Sequence, residues 1–390
     1  MNDRAGGRVP ELDGLRGLAI ALVILCHYVA NAEHRALGVW PHRALTGLSF
    51  GWSGVDLFFV LSGFLIGRIL LESREAPHYF RTFYMRRVHR ILPVYYLWIL
   101  LFGGLVVWGL WVAPGSLAVT HADLAQVPVH LLFLQNLHAG LPAFSWMWLV
   151  VMWSLAVEEQ FYLLAPPLIR WMSLRGVTVV LLCAVATAPF LRAVVFGYLS
   201  PGTYLSTFLM PCRADALAMG VLLAIGWRSA KFRAWVGERQ RLLAGILVVL
   251  ALSFAGLSWW FAHPLSMVTV TIGYTWLGLF YSCLLLTVMS RKNGWIAGVA
   301  RWGWLGRLGK ISYCVYLIHL TVNVVAHRLI LHGEPEIVNW RGVGVTLLAL
   351  VASLVIASAS WKYFEEPLVK RGHSYAYWDR ADAGVSREAA

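Results

Sequence analysis

Ten apolar stretches run along the chain, separated from one another by clusters of charged residues or by turn-forming residues. Each is close to or above the roughly 17 to 25 residues that an α-helix needs to cross a bilayer. The stretches lie at residues 14–31, 50–70, 91–112, 146–169, 176–197, 205–227, 242–261, 266–289, 311–331 and 342–361. The pattern predicts an all-α, polytopic membrane protein with about ten transmembrane helices.

The first stretch has a second interpretation. Its uninterrupted apolar run, residues 18–30, spans only about 13 residues and is followed by Ala-Asn-Ala, as in a cleavable signal peptide. Signal peptides begin with a basic segment, whereas this chain places Glu11 and Asp13 before the apolar run. We therefore interpret the stretch as the first membrane span.

Basic residues are divided unevenly between the two sides of the membrane that alternating spans define. With the amino terminus in the cytoplasm, 26 of the 32 Lys and Arg residues fall on the inner side. Cytoplasmic loops of membrane proteins carry such an excess. We therefore expect both termini in the cytoplasm, with one membrane domain over residues 1–366 and a short cytoplasmic tail over residues 367–390.

The composition agrees with this class. Hydrophobic residues make up 59% of the chain and charged residues only 13%, whereas about a quarter of the residues in a soluble domain are charged. The net charge of +13 does not indicate a nucleic-acid partner, because no basic stripe with interleaved aromatic residues is present. The five cysteines are scattered without metal-ligand spacing, so we predict neither a metal site nor a disulfide framework.

Arg16 and His27 bracket the first predicted helix. Eleven residues advance a helix by roughly 20° past three full turns, so the two side chains share nearly one face, about 16 Å apart along the axis. We expect Arg16 at the edge of the bilayer and His27 inside it. His27 could act as a general base on a hydroxyl, or it could be a core histidine bonded to a neighbouring helix. The spacing alone leaves both possibilities open.

Ionisable side chains inside membrane spans are costly, so those present are candidates for a functional site. Besides His27 they are Glu158 and Glu159 in the fourth predicted span, Arg213 and Asp215 in the sixth, His319 in the ninth and Asp56 near the outer end of the second.

Structural alternatives exist for each of these groups. Consecutive helical residues point about 100° apart, so we expect one of Glu158 and Glu159 to face the interior and the other to pair elsewhere, with a purely structural ion pair as the alternative. We interpret Arg213 and Asp215 as a structural or gating pair. For His319, a hydrogen-bonded core histidine is favoured over a catalytic one.

A cluster of arginines enters the third predicted span in the segment RTFYMRRVHRILPVYY, residues 81–96. Arg87 and Arg90 share a helix face, and Arg86 and Arg90 form an i, i+4 pair. Guanidinium groups suit the recognition of phosphates, although inner-face arginines also occur merely as topology signals. Their density immediately before Pro93 favours a focused cationic mouth.

Several catalytic motifs are absent, namely GxSxG, the Walker loop, the Rossmann GxGxxG and HExxH. The acyltransferase pattern of a His followed four residues later by an Asp is absent too. The chain instead resembles the integral-membrane acyltransferase-3 family, which O-acylates bacterial polysaccharides, lipid-linked glycans and some small molecules. The segments that carry the resemblance are LDGLRGLAIALVILCHY, GVDLFFVLSGFLIG, YMRRVHRILPVYY, WSLAVEEQFYLL and ISYCVYLIHL, with CRADALAMG as a weaker sixth.

The resemblance implies transfer of an acyl group, expected to be acetyl, from acyl-CoA to an acceptor hydroxyl, with no bound cofactor, in the bacterial cytoplasmic (inner) membrane. The family's Arg-x10-His motif falls on Arg16 and His27, and its Arg-x-x-Arg motif falls on Arg87 and Arg90. The carboxylate of its fourth-span motif falls on Glu158. The secondary candidates are Asp13, Asp56, Glu159, Arg213, Asp215 and His319. Many relatives also carry a soluble hydrolase-like domain at the carboxyl end.

We expect the arginines to bind the phosphates of coenzyme A and His27, oriented by Glu158 or another acid, to deprotonate the acceptor hydroxyl of a glycan or small molecule. Alternatively, an acyl group is first handed across the membrane. Two other hypotheses remain at this point. One is a proton-coupled transporter or flippase of a glycan or lipid-linked substrate, with Glu158 and His27 as a proton relay. The other is a different membrane acyltransferase class centred on His319.

Overall fold

The computed structural model describes residues 9–30, 49–115, 117, 119–138, 149–261, 265–291 and 294–378. Ten long α-helices lie there at the ten positions that the apolar stretches predict. They are α1 (Pro10–Leu25), α2 (Gly54–Glu72), α3 (Tyr79–Trp111), α4 (Trp153–Trp171), α5 (Leu174–Val194), α6 (Met210–Arg228), α7 (Gln240–Phe261), α8 (Tyr274–Ser290), α9 (Gly303–Leu331) and α10 (Trp340–Ser360). The described residues contain no β-strand, which confirms the all-α prediction.

Shorter helices connect or extend the long ones. Turns of π-helix continue α1, α5 and α10, and another precedes α8. These turns are Cys26–Ala30, Val195–Leu199, Thr269–Gly273 and Trp361–Glu365. The first of them contains His27, which therefore lies in a wider helical turn. The short α-helices are His121–Ala125, Val127–Leu131, Gln135–His138, Leu205–Phe208, Ala230–Glu238, Trp295–Ala300 and Glu366–His373.

Eight helical segments of the described chain are long and apolar enough to cross a membrane. The segment around α4 is not among them, since Glu158, Glu159 and Arg170 lower its hydropathy. The apolar part of α7 qualifies only as a shorter helix, Gln240–Ser253. The protein is therefore a multi-pass membrane protein, while ten spans and cytoplasmic termini stay predictions.

Glycines set the closest helix contacts. In the crossing of α1 with α9, a Cβ atom added at Gly17 would overlap the carbonyl oxygen of Leu305, and one at Gly309 would overlap that of Asp13. In the crossing of α2 with α6, a Cβ atom at Gly63 would overlap the carbonyl oxygen of Leu217. Small residues allow membrane helices to approach in this way, so α1 and α2 each lie backbone to backbone against a partner.

The segment between α3 and α4 folds back onto these helices. Tyr95 of α3 donates a hydrogen bond of 2.8 Å to the carbonyl oxygen of His130, and Gln135 donates one of 2.7 Å to that of Met152, just before α4. Burial lowers the pKa of His130 to about 4, so this imidazole is neutral at physiological pH. Both of these hydrogen bonds join uncharged groups.

The chain beyond α10 packs against the amino-terminal end of α3. Arg86 donates a hydrogen bond of 2.7 Å to the carbonyl oxygen of Tyr375, and Thr82 donates one of 2.7 Å to that of Ala376. Part of the predicted tail, residues 367–378, therefore lies against the membrane domain.

We expect Gly63→Leu to destabilise the protein by about 3 kcal/mol or more, because a larger side chain would force α2 and α6 apart. Thermal unfolding of the purified protein in detergent measures the effect. Gly104→Leu is the matched control, since an added Cβ atom there meets nothing within 4 Å. Equal unfolding temperatures for the two variants would contradict the packing argument.

Candidate active site

A cavity of about 240 Å³ lies between α1, α2, α3, α4 and α9. Its lining brings together five of the residues that the sequence singled out, which are Arg16, Arg87, Arg90, Glu158 and Glu159. The other polar side chains of the lining are Ser62, Ser154, Tyr162, Ser312, Tyr313 and Tyr316. Since five helices contribute to it, the cavity exists only in the assembled bundle.

The arginines of the cavity are largely free of acidic partners. Arg87 and Arg90 form no ion pair with any residue that the structure describes, and the Nε atom of Arg87 is buried without a hydrogen-bond partner. The Arg87 guanidinium lies over the ring of Tyr162, 5.7 Å from its centre. Among the described residues, Arg16 forms one distant ion pair, 4.0 Å, with Asp13 one turn before it. Guanidinium groups held in this way can bind an anionic ligand.

Arg86 is separated from this cavity. Its guanidinium donates to Tyr375 and lies over the ring of Tyr377, 4.9 Å from the centre. With Arg87 and Arg90 it lines a second, smaller cavity of about 60 Å³ between α3 and the segment after α10. The cationic cluster that the sequence predicts thus borders both cavities.

Both adjacent carboxyl groups of α4 line the larger cavity, so the expectation that only one of them faces the interior is wrong. The cavity is wide enough to contact two neighbouring stripes of α4, and each stripe carries one of the two residues. Tyr162 donates a hydrogen bond of 3.0 Å to Oε2 of Glu158. Ser62 of α2 lies 2.7 Å from the same tyrosine hydroxyl. Glu158 is therefore held by a chain of hydroxyl groups.

His27 lies beyond this cavity, in the π-helical turn Cys26–Ala30. Its Nδ1 atom is 2.9 Å from Nε2 of His319, and the two ring centres are 5.0 Å apart. His319 is fully buried, whereas His27 is partly exposed. The partner that orients His27 is thus a histidine of α9. Glu158, which we expected in that position, instead bonds Tyr162.

Tyr316 connects the cavity to the two histidines. Its side chain lines the cavity, while its ring centre lies 6.0 Å from that of His319. Its hydroxyl group is 2.6 Å from Oγ of Ser154 and donates a hydrogen bond of 2.7 Å to the carbonyl oxygen of Val151. A single ring therefore lies between the arginine-lined cavity and the histidine pair.

The remaining intramembrane candidates form two ion pairs, in an arrangement that corrects the predicted pairing of Arg213 with Asp215. Arg213 bonds Asp56 of α2 at 2.6 Å, and Asp215 bonds Arg192 of α5 at 2.9 Å. Residues two apart on a helix point about 200° from each other, so they face different neighbours. All four side chains are buried, and we assign them to the stability of the bundle.

Arg192 and Tyr162 were not among the candidates that the sequence singled out. Arg192 is fully buried in α5. Its position inside an apolar run was the available signal. Tyr162 follows Glu158 by one helical turn, a spacing at which side chains meet. Only the structure shows that the hydroxyl group of Ser62 lies beside that of Tyr162 and extends the hydrogen-bonded chain.

Comparison with known proteins gives a consistent result. The family model described as an acyltransferase domain matches residues 9–361. The putative peptidoglycan O-acetyltransferase YrhL of Bacillus subtilis (strain 168) is 26% identical over 388 residues, covering 93% of this chain and 55% of that protein. The peptidoglycan O-acetyltransferase OatA of Listeria monocytogenes (serovar 1/2a) is 26% identical over 386 residues, covering 93% and 56%.

A putative O-acetyltransferase of Staphylococcus aureus (strain COL) is 26% identical over 394 residues, covering 95% of this chain and 59% of that protein. The chain thus spans 55% to 59% of the length of these relatives. No solved structure matches the chain.

Asp56→Leu should destabilise the protein by about 3 to 5 kcal/mol, because it leaves the Arg213 guanidinium buried without its carboxylate. Thermal unfolding in detergent measures the loss. Glu72→Leu, which removes the partner of Arg68 in a more exposed pair, should cost under about 1 kcal/mol. If both variants unfold at the same temperature, the buried pair does not stabilise the bundle.

Proposed function

Because the chain belongs to the acyltransferase-3 family of integral membrane proteins, we propose that it transfers an acetyl group from acyl-CoA to a hydroxyl group of a glycan. The relatives named as peptidoglycan O-acetyltransferases support the acetyl group and the glycan acceptor. The inner-side excess of basic residues supports a place in the bacterial cytoplasmic membrane. One observation carries the proposal. Arg16 of α1 lines the cationic cavity, and His27, in the π-helical turn that continues α1, contacts a second imidazole.

Arg87, Arg90 and Arg16 are assigned to the phosphates of the donor. The first two form no ion pair with a carboxylate among the described residues, so the phosphates of a polyanion can take that place. Charge-assisted hydrogen bonds from guanidinium groups to phosphate are shorter and stronger than neutral ones. The second cavity, which Arg87 and Arg90 also line, gives the phosphates additional room.

The length of the donor matches the separation of the two ends of the site. Arg16 and His27 are roughly 16 Å apart along α1 at the helical rise. A long flexible pantetheine arm spans such a distance, so the phosphates can stay with the arginines while the thioester reaches His27. The arm would run through the larger cavity and pass Tyr316.

His27 is assigned as the general base. It takes the proton of the acceptor hydroxyl group while the hydroxyl oxygen attacks the thioester carbonyl carbon. The carbon–sulfur bond then breaks, and the departing thiolate takes the proton back from His27 to leave as the free thiol. The products are the acetyl ester of the acceptor and coenzyme A.

Glu158 lines the cavity and does not contact His27, the proposed general base. It interacts electrostatically with Arg16, Arg87 and Arg90 while Tyr162 holds its carboxyl group. We assign it to orienting the guanidinium groups toward the donor. Glu159, which lines the same cavity, is assigned a supporting role in its charge balance.

His27→Ala should lower the rate of acetyl transfer by about 100-fold or more, because the acceptor hydroxyl loses its base. To measure the rate, peptidoglycan fragments are incubated with acetyl-CoA and purified protein, and the acetylated products are quantified by mass spectrometry. His121→Ala, an exposed residue outside the long helices, is the control and should be unchanged. Wild-type transfer by a folded His27→Ala variant would refute the assignment.

Arg90→Met should raise the KM for acetyl-CoA by about 10-fold or more, since one lost charge-assisted hydrogen bond costs about 1.5 kcal/mol or more. The matched control is Arg81→Met on the same helix, which is exposed and lines neither described cavity. Thiol release during an acetyl-CoA titration gives both constants. A protein that neither hydrolyses acetyl-CoA nor transfers its acyl group would support the transporter hypothesis instead.

A further inference from the structure

His319 determines where hydrogen atoms lie on the two paired imidazoles. Its Nδ1 atom is 3.0 Å from the carbonyl oxygen of Val315 and 2.9 Å from that of Tyr316. Carbonyl oxygens only accept hydrogen bonds, so Nδ1 must carry the hydrogen. In a neutral imidazole the other nitrogen is then a bare acceptor. His319 therefore turns an acceptor, Nε2, toward His27.

The state of His27 follows from this acceptor. Nδ1 of His27 lies 2.9 Å from Nε2 of His319, so it is Nδ1 of His27 that donates the hydrogen atom. The Nε2 atom of a neutral His27 then keeps its lone pair. Nε2 of His27 lies on the side of the ring away from His319. Its lone pair is therefore available to accept a proton, as a general base requires.

Burial and backbone geometry agree with this division of roles. His319 is fully buried while His27 is partly exposed, so a substrate can contact only the latter. Tyr28 donates a hydrogen bond of 2.7 Å to the carbonyl oxygen of His319, which ties the next residue of α1's π turn to α9. Turns of π-helix occur often at functional sites, and this one carries His27.

The geometry points to His319 as a positioning residue that holds His27 in the tautomer with a free Nε2. The inference rests on the proposed function, in which His27 is the base. His319 itself touches no substrate. In many hydrolytic sites a carboxylate orients the catalytic histidine. Here the neutral imidazole of His319 has that position, and a membrane interior accommodates it at lower cost than a charge.

Two substitutions separate this role from simple packing. His319→Phe keeps a ring of similar shape but has no acceptor, whereas His319→Gln loses the ring but can place an amide oxygen near Nδ1 of His27. We expect His319→Phe to lower kcat by about 100-fold with the KM for acetyl-CoA unchanged, because the wrong tautomer exposes an N–H to the acceptor. His319→Gln should recover at least about tenfold of that loss. A purely structural role predicts the opposite order.

His327 on the same helix supplies the control. It is also fully buried, and its Nε2 atom bonds Oγ1 of Thr346 at 2.9 Å, away from His27. His327→Leu should leave kcat unchanged in protein that still folds. Thermal unfolding and the KM for acetyl-CoA verify that each variant keeps its structure and donor site.

The outcomes separate this inference from the proposed function. Full activity in His319→Phe together with loss of activity in His27→Ala would overturn the positioning role alone. Equal kcat values for folded His319→Phe and His319→Gln would also overturn it. Full activity in His27→Ala would instead overturn the base itself.

Discussion

The backbone contact between α1 and α9 is the interaction on which the candidate site depends. Gly17 and Gly309 let the two helices approach until carbonyl oxygens lie where side chains would otherwise stand. The same two helical segments carry His27 and His319, and Nδ1 of His27 lies 2.9 Å from Nε2 of His319. The contact that joins the helices therefore also supports the elements from which the two histidines meet.

The apolar interior also sorts the charged side chains into two groups. Arg192 and Arg213 are buried and each has a carboxylate within hydrogen-bond distance, as expected where an unpaired charge is costly. Arg87 and Arg90 have no such partner in the part of the chain that the structure describes, and they border the cavities instead. This contrast, rather than membrane burial as such, distinguishes the arginines proposed to bind a ligand from those that hold helices together.

Local properties of the chain determine its long helices but not the contacts between them. Apolar runs predicted the ten long helices of the described residues, because crossing a bilayer demands length and hydrophobicity and both are local properties. The pairing of Arg213 with Asp215 was wrong because residues two apart on a helix point about 200° from each other, so the two side chains face different helices. The prediction that only one of Glu158 and Glu159 faces the interior was wrong because the cavity is wide enough to contact two adjacent faces of α4.

The sequence by itself determined that the chain is a multi-pass helical membrane protein, and it placed Arg16, His27, Arg87 and Arg90 among the candidate residues. Those conclusions follow from hydropathy, charge and short spacing along single helices. The tertiary structure alone decided the partner of His27. That partner, His319, lies 292 residues away in the chain, and no local pattern specifies a contact that depends on how two helices cross.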